Sequence, residues 1–189
     1  SAETLRANGF KPPILTRGDG GKSKKPVNVV CDGKEILLSP EWVGDEAVMM
    51  AEKLKNVPIL TGPDRFQTGR YALKNYEIDT LILDDGFQHL ALRRDLDILL
   101  CDHQRPLGNN HLFPAGELRE PASETRRADM VCFTRYSGGA IKFSPNFLSS
   151  IPQIKTHLRL DSIINMENGN VCDAEVLKGQ PVIAFCGIA

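Results

Sequence analysis

Two carboxylates at the end of an apolar run are the residues best placed to do chemistry in this chain. In Leu81-Ile82-Leu83-Asp84-Asp85-Gly86-Phe87-Gln88-His89, a strand-sized stretch delivers Asp84 and Asp85 together, and Gln88 and His89 follow on the same rim. Phosphate-transfer sites place acids there to hold Mg²⁺, directly or through its water shell. The ion then neutralises charge on the transferred phosphoryl group. Gly86 lets the chain turn close to a ligand. A plain Asp-Asp-Gly turn is written with the same letters, so the pair alone leaves both readings open.

Four further groups could serve the same chemistry. Gly44-Asp45-Glu46 puts two acids at a helix start, where capping and dipole compensation need only one. The other acid is a candidate general base for a hydroxyl attacking phosphorus, or a metal partner. Pro114-Ala115-Gly116-Glu117-Leu118-Arg119-Glu120-Pro121 fixes a rigid loop in which Arg119 could clamp phosphate and Glu120 could complete a metal shell. A solvated Arg–Glu pair of little energetic worth is the competing reading. Leu15-Thr16-Arg17-Gly18-Asp19-Gly20-Gly21-Lys22 is a glycine-rich loop after a strand, able to cradle phosphate with backbone N–H groups. It lacks the Walker A spacing, and a simple turn reads equally well. Gly62-Pro63-Asp64-Arg65 is a comparable helix start with an arginine at a strand end.

These groups need a scaffold that brings strand ends together. Short continuous apolar runs at Pro13–Thr16, Val57–Thr61, Thr80–Leu83, Asp97–Cys101, Met130–Phe133 and Pro181–Phe185 predict strands buried on both faces of a parallel sheet. Val27–Cys31 and Glu35–Leu38, joined by Asp32-Gly33, predict a hairpin. Helices are predicted over Gly44–Lys55, Pro63–Lys74, near Ser123–Ala128 and near Phe147–Ser150. The alternation gives an α/β fold, a mostly parallel sheet with flanking helices, in which ligands bind beyond the carboxyl ends of the strands. Ser1–Gly9 reads as the tail of a helix and Pro181–Phe185 as a strand cut short, so the expectation is a domain truncated at both ends. The Ser-, Gly- and Pro-rich stretch 136–145 divides a core over 1–135 from the start of a smaller subdomain and a return strand over 136–189.

Composition excludes little but narrows the partners. The formal net charge of −1 provides no global basic field for nucleic acid or an anionic membrane. No long apolar span is present. The five cysteines show no zinc spacing and read as buried small hydrophobes.

Taken in order, Arg17-Gly18-x-Gly20-Gly21, Gly44-Asp45-Glu46, Gly62-Pro63-Asp64-Arg65, Asp84-Asp85-Gly86-Phe87-Gln88-His89, Arg94-Asp95, Gly108-Asn109, Pro114-Ala115-Gly116, Leu118-Arg119-Glu120-Pro121 and Arg127-Ala128-Asp129 closely resemble tetraacyldisaccharide 4′-kinase, the lipid A 4′-kinase of Gram-negative bacteria. The resemblance runs from about Leu5 to Ala189. It implies a P-loop NTPase-like, Rossmann-like three-layer fold whose Walker A loop lies upstream of Ser1. It implies transfer of the γ-phosphate of ATP, with Mg²⁺, to the 4′-hydroxyl of a tetraacyldisaccharide 1-phosphate at the cytoplasmic face of the bacterial inner membrane. By this resemblance Asp45, Asp85, His89 and Arg119 are catalytic. Arg17, Gly18, Gly20 and Gly86 bind the nucleotide, and Glu46, Asp84, Asp85 and Glu120 surround the metal. Arg93-Arg94, Arg105 and Arg126-Arg127 are candidates to meet anionic headgroups. A histidine expected to assist the base would lie beyond Ala189, and without the P-loop the fragment alone is expected to be inactive. Asp19 stands where the family usually has Tyr, and Ala47 where it often has Pro. The competing readings are another P-loop NTPase, GTPase-like or carboxylate-activating, and a non-catalytic nucleotide-binding remnant.

Overall fold

The computed structural model describes residues 2–139, 150–159 and 162–183. They form two compact units that meet in the chain between Asp97 and Ile98, ahead of the Ser/Gly/Pro-rich stretch that composition picks out.

The first unit is built on a four-stranded sheet of order β2-β3-β1-β4. Its strands are β1 (Ile14–Thr16), β2 (Asn28–Asp32), β3 (Pro58–Thr61) and β4 (Ile82–Leu83). β1 runs parallel to both β3 and β4, and only β2 is antiparallel. The helices are α1 (Ala2–Ala7), α2 (Pro40–Val43), α3 (Asp45–Lys53) and α4 (Arg65–Asn75). The strands are continuous apolar runs because each serves two cores. Ile14, Val30 and Ile59 pack on one face with Val43, Ala47, Val48 and Ala51 from α2 and α3. Their neighbours Leu15 and Leu60 pack on the other face with Ala72 from α4, against Val29, Leu81 and Leu83. Strand side chains alternate between faces, so every second residue feeds the opposite layer. The result is helix, sheet, helix.

The predicted hairpin is only half realised. Asp32 takes the N–H groups of Lys34 (2.7 Å) and Glu35 (2.9 Å) onto its carboxylate, an Asx-type turn. These bonds hold the Asp32 carboxyl below its ordinary pKa, the Glu35 N–H foremost. The return side then touches β2 through a single Cys31–Ile36 bridge and the Leu37 N–H on Val30 O at 2.8 Å. This out-and-back excursion has a purpose. β2 starts beside Thr61, at the carboxyl end of β3, and finishes beside Pro58. The return carries the chain back to the carboxyl rim, where α2 and then α3 begin.

The second unit holds β5 (Ile98–Asp102), β6 (Met130–Thr134) and β7 (Gln153–Lys155), all parallel, and the small antiparallel pair β8 (Ile163–Ile164) and β9 (Val171–Cys172). A 3₁₀ helix spans Ala122–Arg127. β7, β8 and β9 carry no sequence prediction. Pro181 to Ile183, predicted as strand, is irregular, with Ile183 94% exposed. The remainder of that prediction, and most of the helix near Phe147–Ser150, lie outside the described residues. Among the described residues no helix is long and apolar enough to cross a membrane.

The cysteines divide. Cys31 and Cys101 are buried as expected, but Cys172 is exposed on a two-residue edge strand. Burial pushes the Cys101 thiol up to about 11, so almost no thiolate forms near neutrality. A limiting maleimide at pH 7.5 is therefore expected to label Cys172 and spare Cys101, read by peptide mapping. Equal labelling would contradict the packing of β5.

Candidate active site

The carboxyl ends of β1, β3 and β4 meet at one rim of the first unit. The sheet ladder continues one residue beyond the strands there: Gly62 N–H donates to Thr16 O (3.2 Å) and Asp84 N–H to Leu15 O (2.9 Å). Between them opens a small polar cleft lined by Thr16, Arg17, Gly18, Asp19, Val43, Glu46, Ala47, Asp84 and Asp85. Glu46 and the Asp84-Asp85 pair, far apart in the chain, thus share one cavity. Asp45 precedes Glu46 as the first residue of α3, with its carboxylate exposed and its Oδ1 accepting from Glu46 N–H at 3.1 Å. Both acids sit where the partial positive charge of the helix start favours them. Asp85 holds φ at +48°, a left-handed conformation that few side chains other than Asn and Asp adopt readily.

The glycines do different work from that expected. Gly44, at φ +88°, lies so close to Asp19 that a Cβ would stand 2.3 Å from the Asp19 carbonyl oxygen. It welds the α2–α3 junction to the glycine-rich loop. That loop is less open than a phosphate cradle. Lys22 and Ser23 donate their N–H groups to the carbonyls of Glu41 and Trp42, each at 3.0 Å, and the Lys22 ammonium pairs with Glu41 at 2.8 Å. Gly18 is held against Thr61, whereas Gly20 stands in open space. Gly86 is buried, and a Cβ there would meet Leu83 Cβ at 2.6 Å, so its smallness serves the strand-to-loop turn rather than close approach of a ligand. Gly44→Ala should therefore lower the melting temperature through strain on the order of 1–3 kcal/mol plus a backbone clash, and more than Gly20→Ala, which meets no neighbour. Equal melting temperatures for the two variants would refute the weld.

Arg65, noted in the sequence as an arginine at a helix start but given no site role there, proves deeply buried. It is 4% exposed, donates from Nη1 to Gly62 O at 2.8 Å, and leaves Nε buried with no hydrogen-bond partner. Burial lowers its pKa, as does the nearby Arg17, while Asp19, Asp85 and Asp84 oppose the shift. A buried cation thus lies within electrostatic reach of both strand-end acids. The signal for it was an arginine in the first turn of a helix, where a positive charge is unfavourable unless something else holds it. His89 follows the acid pair by one tight turn, its N–H on Gly86 O at 3.0 Å, with Nε2 buried and unpartnered. It contributes to keeping the carboxyl of Asp64 below its ordinary range, an effect led by the Gln67 N–H. Asp64 itself caps α4 by accepting from Phe66 and Gln67 N–H.

Arg119 and Glu120 belong to the second unit. Arg119 is exposed. Both oxygens of Glu120 accept from Arg127 Nη2 at 3.0 Å, and Arg127 also pairs with Glu124. Glu120 is thus committed to an ion-pair cluster within its own unit. Arg127, like Arg94 below, is engaged in ion pairs within its own unit.

Among the described residues no group of three or more His, Cys, Asp or Glu forms a ready cation cage. The hard oxygens of Glu46, Asp84 and Asp85 on one cleft suit Mg²⁺ in its usual manner, one or two carboxylates with water and substrate phosphate completing the shell.

A family model described as LpxK, tetraacyldisaccharide-1-P 4′-kinase, matches residues 1–189. Proteins named tetraacyldisaccharide 4′-kinase are 42% identical in Syntrophus aciditrophicus, over 99% of this chain and 54% of that protein, and 46% identical in Desulfotalea psychrophila, over 100% of this chain and 55% of that protein. A crystal structure described as the "apo" form of LpxK from Aquifex aeolicus in complex with ATP superposes with a TM-score of 0.74 at 33% identity, covering 96% of this chain and 54% of that one. The chain spans about half the length of the curated relatives it matches. With the family model matching all of residues 1–189 and the fold in accord, the chain belongs to the tetraacyldisaccharide-1-P 4′-kinase family.

Proposed function

We propose that the full-length protein transfers the γ-phosphoryl group of ATP to the 4′-hydroxyl of tetraacyldisaccharide 1-phosphate, a step of lipid A synthesis, at the cytoplasmic face of the bacterial inner membrane. The observation that supports this reading is the convergence of Glu46, Asp84 and Asp85 on one cleft, with Asp45 at the head of α3 beside it.

In this reading Asp45 accepts the proton of the 4′-hydroxyl as its oxygen forms the new bond to the γ-phosphorus. The bond from phosphorus to the β–γ bridging oxygen breaks and ADP leaves with the electron pair. One or two of the carboxylates of Asp84, Asp85 and Glu46 would hold Mg²⁺, which would supply charge neutralisation on the phosphate oxygens when bound. Arg65 supplies a buried positive charge that lets Asp84 and Asp85 stand side by side without mutual repulsion dominating. His89 follows the acids by one tight turn and is the candidate to assist them with its imidazole. The family resemblance gives Arg119 as a further candidate phosphate contact.

Radiolabelled ATP, Mg²⁺ and the disaccharide lipid in mixed micelles, with full-length protein, test the proposal. The expected product carries label on the 4′-oxygen, and Asp85→Asn abolishes it. ATP hydrolysis without transfer to the lipid would overturn the reading.

A further inference from the structure

The segment that carries His89 has almost no regular structure of its own. From Gly86 to Leu92 the backbone is a succession of tight turns, closed by His89 N–H on Gly86 O (3.0 Å), Leu90 N–H on Gln88 O (3.0 Å) and Leu92 N–H on His89 O (3.4 Å). Gln88 and Leu90 face solvent. Such a run is floppy unless something gathers its carbonyls.

Arg94 does so. Its side chain is 13% exposed and forms a two-pronged pair with Asp97, itself 17% exposed: Nε to Oδ1 at 2.5 Å and Nη2 to Oδ2 at 3.0 Å. The rest of the fork is spent on the loop. Nη1 donates to His89 O at 2.6 Å and Leu92 O at 3.1 Å, and Nη2 reaches Phe87 O at 3.5 Å. One rigid plane of donors thus ties three carbonyls of the loop to a carboxylate on the strand side. Only a guanidinium offers this, since an ammonium has three donors around a point and cannot hold the fork. Its neighbour Arg93 is exposed and remains available to other partners.

We propose that Arg94, locked by Asp97, is a positioning residue: by gathering the carbonyls of Phe87, His89 and Leu92 it fixes the loop in the shape that holds the His89 ring, with Nε2 buried, in the turns directly after the strand-end acids. The inference rests on the kinase reading above, because the consequence of misplacing His89 is measured in phosphoryl transfer. A misplacement of about 1 Å at a reacting site costs up to about 10²-fold in rate.

The test is a double-mutant cycle in the full-length protein with His89→Ala, Arg94→Lys and the pair combined. Arg94→Lys keeps the charge and much of the stem, and is expected to lower kcat by about 10- to 10²-fold with KM for ATP little changed. The combined variant is expected to be no slower than His89→Ala alone, since Arg94 acts through the histidine. A merely structural arginine would give losses that multiply, or a lower melting temperature with kcat intact, and either result overturns the proposal. So does a silent His89→Ala. If the parent protein transfers no phosphate to the lipid, it is the kinase reading that fails. A loss of His89 imidazole chemical-shift dispersion in Arg94→Lys supports the positioning role independently of turnover, and an unchanged His89 spectrum overturns it.

Discussion

Asp45→Ala in the full-length protein is expected to lower kcat for phosphate transfer to the disaccharide by about 10²- to 10⁴-fold, the usual worth of a positioned general base, while the protein melts close to the parent. The two halves of this expectation come from different features. Asp45 is exposed and supports no other element of the fold; its carboxylate accepts the N–H of Glu46 within its own first turn. Its contribution to α3 is that of an acid near a helix start, about 0.3–1 kcal/mol. A group that costs so little to remove structurally and so much kinetically acts in the chemistry. KM for ATP should hold, because Asp45 stands at the head of α3 rather than on the wall formed by Glu46, Asp84 and Asp85. Initial rates at saturating lipid, with thermal melting alongside, decide the matter. A kcat within an order of magnitude of the parent would remove Asp45 from the role of base.

Phe133→Ala should destabilise by about 3–5 kcal/mol, the range for truncating a fully buried aromatic. Phe133 is 0% exposed on the central strand β6, packed with Cys101 and Val131 and flanked by Leu99 and Ile151. Among the described residues that cluster is small, so little of the void would be refilled by neighbouring apolar side chains. Typical domain stabilities of about 5–15 kcal/mol leave little margin for such a loss. Because the two units have separate apolar clusters, hydrogen exchange should show protection falling in β5 and β6 while β1 and β3 keep theirs. Uniform loss across both units would show that they unfold together.

What was legible in the sequence follows from how each element is buried. β1 and β3 announce themselves because both faces are covered and the runs are continuously apolar; β6 is as apolar in sequence but buries only alternate residues, Val131 and Phe133. β7, with the exposed run Gln153-Ile154-Lys155, and the two-residue strands β8 and β9 carry no such signal. Their pairing depends on partners distant in the chain. α2 is four residues long, too short for helical periodicity to register. In the site, the acids were readable from their place after a strand and at a helix start, positions that the architecture itself directs to one rim. Arg65 and Arg94 were not, because a long cationic side chain takes its role from where its tip lands. Sequence gives the stem and not the landing place, which is why the Arg94 tie to Asp97 and the loop carbonyls carries no signal there.

The out-and-back path of β2 separates function from connectivity. Its turn at Asp32-Gly33-Lys34 sits at the amino end of β3, beside Pro58, and the chemistry is gathered at the opposite end. A short reporter peptide or dye-bearing insert could replace that turn, giving a fluorescent handle on the unit that leaves the acid-lined rim untouched.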